Sequence, residues 1–228
     1  MAERIPVLIL AGLSGVGKTA VANAIFSSDG RFMSVRSATT RPPRGDANDA
    51  EYIYMTDEEF DGAVERGEFV ETATYSGKRY GTLRSELFAA AELGKIPLLI
   101  LEMNGVESFF GSEEYDPCSV YIYADIATAG DRLLERTGTE KNGRRPFAWV
   151  IRAERNIMDA LKHCRYAHMF YAAVDNRSSV EECAEGVIAA FDSFMAGVPS
   201  EPRKISEVFL SLTDQAMRQL EHPMTRKK

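Results

Sequence analysis

Residues 12–19 read Gly-Leu-Ser-Gly-Val-Gly-Lys-Thr and satisfy the pattern GxxxxGK[ST]. Small residues let successive backbone N–H groups turn inward and surround an anion. A helix opening at Lys18 aims its positive end at the same oxygens. Lys18 supplies a mobile ammonium for terminal phosphates, and the Thr19 hydroxyl is a ligand for Mg²⁺, which completes its octahedron from phosphate and water oxygens. The loop residues Gly12, Leu13, Ser14, Gly15, Val16, Gly17, Lys18 and Thr19 are therefore expected to hold ATP, with Mg²⁺ on Thr19. The pattern alone turns up by chance. Here it follows an apolar run at 7–11 and opens a helical stretch, the context that this chemistry requires.

A second group of residues suits a second anion. Ser-Ala-Thr-Thr-Arg-Pro-Pro-Arg-Gly at 37–45 places Arg41 and Arg44 around a proline pair, which fixes the backbone and holds the guanidinium groups apart. Two planar forks held this way suit a dianionic phosphate. Tyr52 and Tyr80 offer phenol hydroxyls to complete its shell, and Glu71, near a strand end, offers a carboxylate to ring N–H groups. Taken singly, each has a plain alternative: a solvated loop arginine, a tyrosine packed on a sheet, an exposed strand glutamate. Asp175 and Asn176 follow the last core strand, where open α/β sheets bind ligands; they are candidates for an adenine contact, or for a simple turn. His163 and His168 show no pattern of metal binding or catalysis and are read as structural.

These side chains need a scaffold, and the hydrophobic pattern supplies an α/β one. Apolar runs at 7–11, 97–102, 119–123 and 170–174 alternate with helices expected to start near Lys18, Thr128, Trp149 and Val180. That alternation predicts a mostly parallel sheet covered on both faces, a P-loop NTPase core. The texture changes at 34–93. Short strands are expected there at 34–38, 52–55 and 69–75, around a helix that Thr56 caps with Glu59 closing a capping box. This is a small mixed α/β insertion. A polar stretch at 136–146 reads as a mobile loop. The expected division is a core of 1–33, 94–129 and 156–196, the insertion at 34–93, a separate segment at 130–155, and a tail at 197–228. In that tail 198–202 reads as a linker, and Ile205, Val208, Leu212, Ala216 and Leu220 fall at helical spacing. This last helix would pack on the core or on a second copy of the chain, as in a homo-oligomer.

Bulk properties narrow the function. The 228 residues are 45% hydrophobic and 27% charged, as in an ordinary globular protein. A net charge of -7 excludes broad binding to nucleic-acid backbone but not a small anion held by a few arginines. The first apolar run is too short to span a membrane and leads straight into the glycine loop, so no membrane partner is expected. Three widely spaced cysteines, an odd number without a CxxC pair, argue against a disulfide framework and a zinc site, and fit a reducing cytoplasm.

As an ordered set the motifs are more specific than the loop alone. The sequence resembles the guanylate kinase family over roughly residues 5–195: the P-loop, Thr-Thr-Arg-Pro-Pro-Arg at 39–44, Glu-Phe-Val-Glu at 68–71, Arg-Tyr-Gly-Thr at 79–82, and the later arginine-rich loop. The resemblance implies ATP-dependent phosphorylation of GMP to GDP, with 34–93 as the GMP-binding insertion and 130–155 as a lid. It implies that Arg41, Arg44, Tyr52 and Tyr80 hold the GMP phosphate, that Glu71 pairs with guanine N1 and N2 hydrogens, and that Thr82 faces O6. Ser37 would line the same site, and Glu102 would reach the guanine amino group. Arg132, Arg136 and Arg152 would neutralise charge during transfer, with Arg144 and Arg145 as further candidates on the loop; Lys18, Arg41, Arg136 and Arg152 would form the catalytic set. Two departures stand out. Where the family has Asp-x-Asp this chain has Ile100 and Glu102, which bears on metal positioning, and the lid loop is unusually basic and interrupted by Pro146. Two other readings keep the fold: a kinase for another small phosphate acceptor such as a ribose bisphosphate, and a weakly active guanylate-kinase-like binding module.

Overall fold

A computed structural model of the chain describes residues 4–45, 47–75, 77–137 and 147–221. In chain order the elements are β1 (Ile5–Ala11), α1 (Lys18–Ser28), β2 (Phe32–Ser34), β3 (Ser37–Thr39), β4 (Tyr52–Tyr54), α2 (Asp57–Glu65), β5 (Phe69–Tyr75), β6 (Lys78–Leu83), α3 (Arg84–Glu92), β7 (Ile96–Ile100), α4 (Met103–Phe109), β8 (Tyr115–Tyr123), α5 (Ile126–Thr137), α6 (Phe147–His163), β9 (Ala172–Asp175), α7 (Val180–Met195) and α8 (Pro202–Glu221). Short 3₁₀ segments cover Ala47–Glu51 and Cys164–Met169.

Five strands hydrogen-bond in the order β2-β7-β1-β8-β9, with β2–β7 and β8–β9 parallel. The expected parallel α/β sheet is present. Its central strand, β1, has Val7, Leu8, Ile9, Leu10 and Ala11 all fully buried. A continuous apolar run is what a strand covered on both faces requires. A second sheet runs β4-β3-β6-β5, with β3–β4 parallel and both β3–β6 and β5–β6 antiparallel.

The chain forms two compact units, Met1–Ile9 with Ile25–Cys118, and Leu10–Ala24 with Ser119–Lys228. In the first, the four-stranded sheet is amphipathic. Alternate residues face α2, where Ala38, Phe60, Ala63, Phe69 and Leu83 form a buried cluster flanked by Ile53 and Met55. Phe60 and Phe69 stack with centroids 4.5 Å apart, and the Arg79 guanidinium lies 4.2 Å from the Phe60 centroid. Thr56 caps α2 with the expected capping box: its hydroxyl accepts from the Glu59 amide, and the Glu59 carboxylate accepts from the Thr56 amide. Replacing Phe60, fully buried, with Ala is expected to cost about 3–5 kcal/mol, read as a lower midpoint in urea denaturation.

In the second unit Tyr121 is a hub. Its ring lies 4.4 Å from Phe209 and 5.3 Å from Phe170, centroid to centroid, and its hydroxyl meets His163 Nδ1 at 3.0 Å. Phe209 comes from α8, so the tail helix packs on its own unit. Its buried stripe is Ile205, Phe209, Leu212 and Ala216. Three of these positions match the expected stripe; Phe209 rather than Val208 fills the fourth, and Leu220 is half exposed. The Gln215 side chain accepts from the Ile126 amide and donates to Asp125, capping α5.

Several boundaries differ from the sequence reading. The expected strand at 34–38 is two strands in two sheets, because β2 ends at Ser34 and β3 begins at Ser37. β6, α3 and α4 were not anticipated. β7 stops at Ile100, so Glu102 stands at the N-cap of α4 rather than on a strand. β8 starts early, at Tyr115, and runs through Pro117. β9 sits later than the apolar run at 170–174, and α5 and α6 begin before Thr128 and Trp149. No helix among the described residues is long and apolar enough to cross a membrane.

Candidate functional site

The chain leaves β1 at Ala11 and enters α1 at Lys18 through a loop shaped by its glycines. Gly15 (φ 86°) and Gly17 (φ 97°) adopt left-handed backbone, and a Cβ would stand 2.5 Å from the Ala129 carbonyl oxygen at Gly15 and 2.5 Å from Asn176 Nδ2 at Gly17. Only glycine meets both the conformation and the close approach. Lys18 Nζ folds back over the loop and donates to the carbonyls of Gly12 (2.8 Å) and Leu13 (3.0 Å). The first turn of α1 carries no acidic residue, so its positive end is uncompensated. Thr19 follows on this turn with an exposed side chain. The cradle, the ammonium and the helix end fit a nucleotide's phosphates. Among the described residues no group of three or more His, Cys, Asp or Glu could hold a metal by itself. Thr19 therefore fits Mg²⁺ only as one ligand beside phosphate and water oxygens.

Side chains from elsewhere in the same unit hold this loop. Asn156 of α6, buried, makes a reciprocal pair with Ser14, accepting from its amide (2.9 Å) and donating to its carbonyl (2.7 Å). Asn176 Nδ2 donates to the Val16 carbonyl at 2.7 Å; its buried Oδ1 has no partner. Arg132 of α5 donates to the carbonyls of Val16 (3.3 Å) and Asn176 (2.7 Å). Asn176 is thus occupied with the loop backbone, and Asp175 with the Arg177 guanidinium. Arg152, half-buried, lies one helical turn before Asn156 and on the same side of α6. Arg136 falls in the last turn of α5, but its side chain, like Arg144 and Arg145, lies outside the described residues. His163 is buried against Tyr121. Burial first, then the charges of Lys18, Arg165 and Lys162, hold its pKa down to about 4, so it is neutral near pH 7. Sequence reasoning missed Asn156; its spacing of four from Arg152 on one helix face was the available signal.

In the other unit, the face of the four-stranded sheet opposite α2 carries the second set. Register pairs Ser37 with Tyr52, Thr39 with both Tyr54 and Tyr80, and Glu71 with Thr82, and alternation puts all of these on one face. The Thr82 hydroxyl, buried, donates to Glu71 Oε1 at 2.7 Å. The other Glu71 oxygen lies near Gly105 of α4, whose N-cap is Glu102, exposed and one turn away. Burial raises the Glu71 pKa, against the hydrogen bonds from the Thr82 side chain and backbone that lower it. Arg41 is nearly enclosed. Its Cζ lies 4.9 Å from the Tyr52 centroid and 5.7 Å from that of Tyr54. Its Nη2 donates to the Tyr54 hydroxyl at 3.3 Å and stands 3.6 Å from Asp49. The Thr39 hydroxyl positions the Arg41 amide at 3.1 Å. Tyr52 and Tyr80 are close, with centroids 6.3 Å apart, and Arg44 is exposed with its amide on Asp49. The structure thus brings Ser37, Arg41, Tyr52, Glu71, Tyr80 and Thr82 onto one sheet face or its rim. Tyr54 and Asp49 were not anticipated, although the spacing of two from Tyr52 already put Tyr54 on that face.

Comparison with known proteins gives the family. A family model described as guanylate kinase matches residues 4–188. A curated guanylate kinase of Thermotoga maritima is 31% identical over 204 residues, 86% of this chain and 91% of that protein. One from Enterococcus faecalis is 34% identical over 146 residues, 62% of this chain and 70% of that protein. Among solved structures, guanylate kinase from Anaplasma phagocytophilum superposes with a TM-score of 0.58 over 84% of this chain and 86% of that one, at 20% identity, a likeness of fold. With a P-loop in one unit, a carboxylate–hydroxyl pair on a sheet face of the other, and a family match running from β1 into α7, the chain belongs to the guanylate kinase family.

Proposed function

We propose that this protein transfers the γ-phosphoryl group of ATP to GMP, giving ADP and GDP. The observation that carries the reading is the Glu71–Thr82 pair on the same sheet face as Arg41, in a chain with an intact Gly17-Lys18-Thr19. Guanine presents donors at N1 and N2, which a carboxylate accepts, whereas adenine presents an acceptor at N1. A site built around such a group rejects the base that leaves it unpaired. Ser37 would line this site, and Glu102, at the N-cap of the helix whose Gly105 lies near Glu71, would reach the guanine amino group.

Arg41, Arg44, Tyr52 and Tyr80 would hold the GMP phosphate. The loop Gly12–Thr19 would hold the phosphates of ATP, with Lys18 moving from the loop carbonyls to the terminal phosphates. Mg²⁺ on Thr19 would neutralise phosphate charge when bound. An oxygen of the GMP phosphate attacks the γ-phosphorus in line as the bond to the ADP oxygen breaks. That oxygen is already ionised, so no general base is needed, and positioning with charge neutralisation dominates. Arg152 and Arg136 are assigned to that neutralisation, and Arg132 to holding the loop. Asn176, whose Oδ1 is unpaired, and Asp175 next to it would contact adenine. Cys118, Cys164 and Cys183 are all free thiols, in keeping with a reducing cytoplasm.

A coupled assay across GMP, dGMP, AMP and ribose phosphates tests the assignment. GMP is expected to turn over with the highest kcat/KM. Turnover of GMP no better than AMP would remove the guanine reading, and turnover of a ribose phosphate above GMP would replace it.

A further inference from the structure

The acceptor site already contains an anion. Asp49 sits in the 3₁₀ segment Ala47–Glu51. Its Oδ2 accepts from the amides of Gly45 (2.7 Å) and Arg44 (2.9 Å), its Oδ1 accepts from the Tyr54 hydroxyl, and Arg41 Nη2 stands 3.6 Å from Oδ1. The side chains of Arg41 and Asp49 are only 10% and 18% exposed. Two amides, a phenol and a guanidinium around two oxygens form the kind of donor set that a phosphate monoester takes. We propose that Asp49 sets the affinity of the acceptor site, because its carboxylate holds, with Tyr54, the place beside Arg41 that the substrate phosphate must share or take. This inference rests on the assignment of Arg41 to the acceptor phosphate.

The physical basis is a competition for one cation. The hydrogen bond from Tyr54 is the largest cause holding the Asp49 pKa down to about 2; it outweighs burial and is helped by the two amides and by Arg41. Asp49 is therefore ionised at every working pH and does not step aside by protonation. A dianion arriving at Arg41 meets a fixed negative charge within a few ångströms, where like charges repel. If Asp49 stays, the repulsion weakens binding. If it swings out, the hydrogen bonds from Gly45, Arg44 and Tyr54 are lost. Both routes make acceptor affinity lower than the same site would have with a neutral residue at this position. The opposite role is also physically definite: an organiser that ties down the turn at 41–45 would lower affinity when removed.

Asp49→Asn separates the two. It keeps one oxygen for the amides and turns an N–H₂ towards the Tyr54 hydroxyl, which can accept, but carries no charge. Calorimetric titration with GMP, guanosine and inorganic phosphate, and KM measurements for GMP and ATP, are made on both proteins. The expected result is a fall in Kd and KM for GMP of about 3- to 10-fold, the scale of one partly enclosed charge–charge interaction, and a parallel tightening of inorganic phosphate. Guanosine affinity and the KM for ATP stay as they were. Asp49→Ser gives a second variant should the first misfold. GMP and inorganic phosphate binding as weakly as, or more weakly than, they bind the wild type, in both variants, overturns the proposal. Wild-type protein that binds inorganic phosphate but shows no preference for GMP over AMP instead overturns the guanine reading, and the phosphate comparison still decides the role of Asp49.

Discussion

Lys18→Ala is expected to lower kcat for GMP phosphorylation by about 10²–10³-fold, the loss found when one preorganised donor to transition-state charge is removed. The chain gives reasons for that size. Lys18 is the first residue of α1, and its ammonium bridges the carbonyls of Gly12 and Leu13. A point charge on a flexible stem moves from those carbonyls to a terminal phosphate with little backbone change. Arginine does not replace it, because its guanidinium is a larger planar fork rather than a compact point charge on a flexible stem. Lys18→Arg is therefore expected to lose most of the activity too. The loop itself is held by Asn156, Asn176 and Arg132, so its shape survives the substitution and the melting temperature changes little. Steady-state kinetics should show kcat falling further than the KM for ATP rises. Activity unchanged in Lys18→Ala would dispose of the phosphate-loop mechanism.

What could be read from the sequence divides along physical lines. β1 and its loop were legible because a fully buried run of five apolar residues and a glycine-lysine pattern each depend on local sequence alone. The cap of α2 was legible for the same reason, since Thr56 and Glu59 are neighbours on one turn. Contacts between distant segments were not. Nothing near Asn156 announces that its amide closes on Ser14, 142 positions away, and nothing near Asp49 predicts that a carboxylate will settle beside Arg41. The break between β2 and β3 was hidden because 34–38 carries no glycine or proline; the strands part there because they join different sheets. In α8 the period was clear, but whether Val208 or Phe209 faces inward depends on the partner, and the larger ring wins the place against Tyr121.

Glu71→Gln is expected to lower kcat/KM for GMP by about 10²–10⁴-fold, since two hydrogen bonds to a charged group, at about 1.5–3 kcal/mol each, are lost or reversed. The amide presents an N–H₂ where guanine needs a second acceptor, and Thr82 already donates to the other side of the group. AMP turnover should change little, so the ratio of GMP to AMP is the sensitive readout. Folding does not account for the loss. Burial raises the Glu71 pKa, so the fold disfavours the ionised form; Glu71 reduces stability above its folded pKa, and that reduction disappears as pH falls through it. At pH 7 the Glu71→Gln protein, neutral at this position, should therefore unfold at the same urea concentration as the wild type or a higher one. The same shift predicts how base recognition depends on pH. A protonated carboxyl cannot accept from both N1 and N2, and Glu71 takes up its proton at a higher pH than an ordinary glutamate. Guanosine, which has no phosphate to titrate, should bind the wild type progressively less well on acidification through that raised pKa, and should bind Glu71→Gln with a weak, pH-independent affinity. Guanosine binding that survives the substitution, or that shows no such pH dependence in the wild type, would place guanine recognition on other residues.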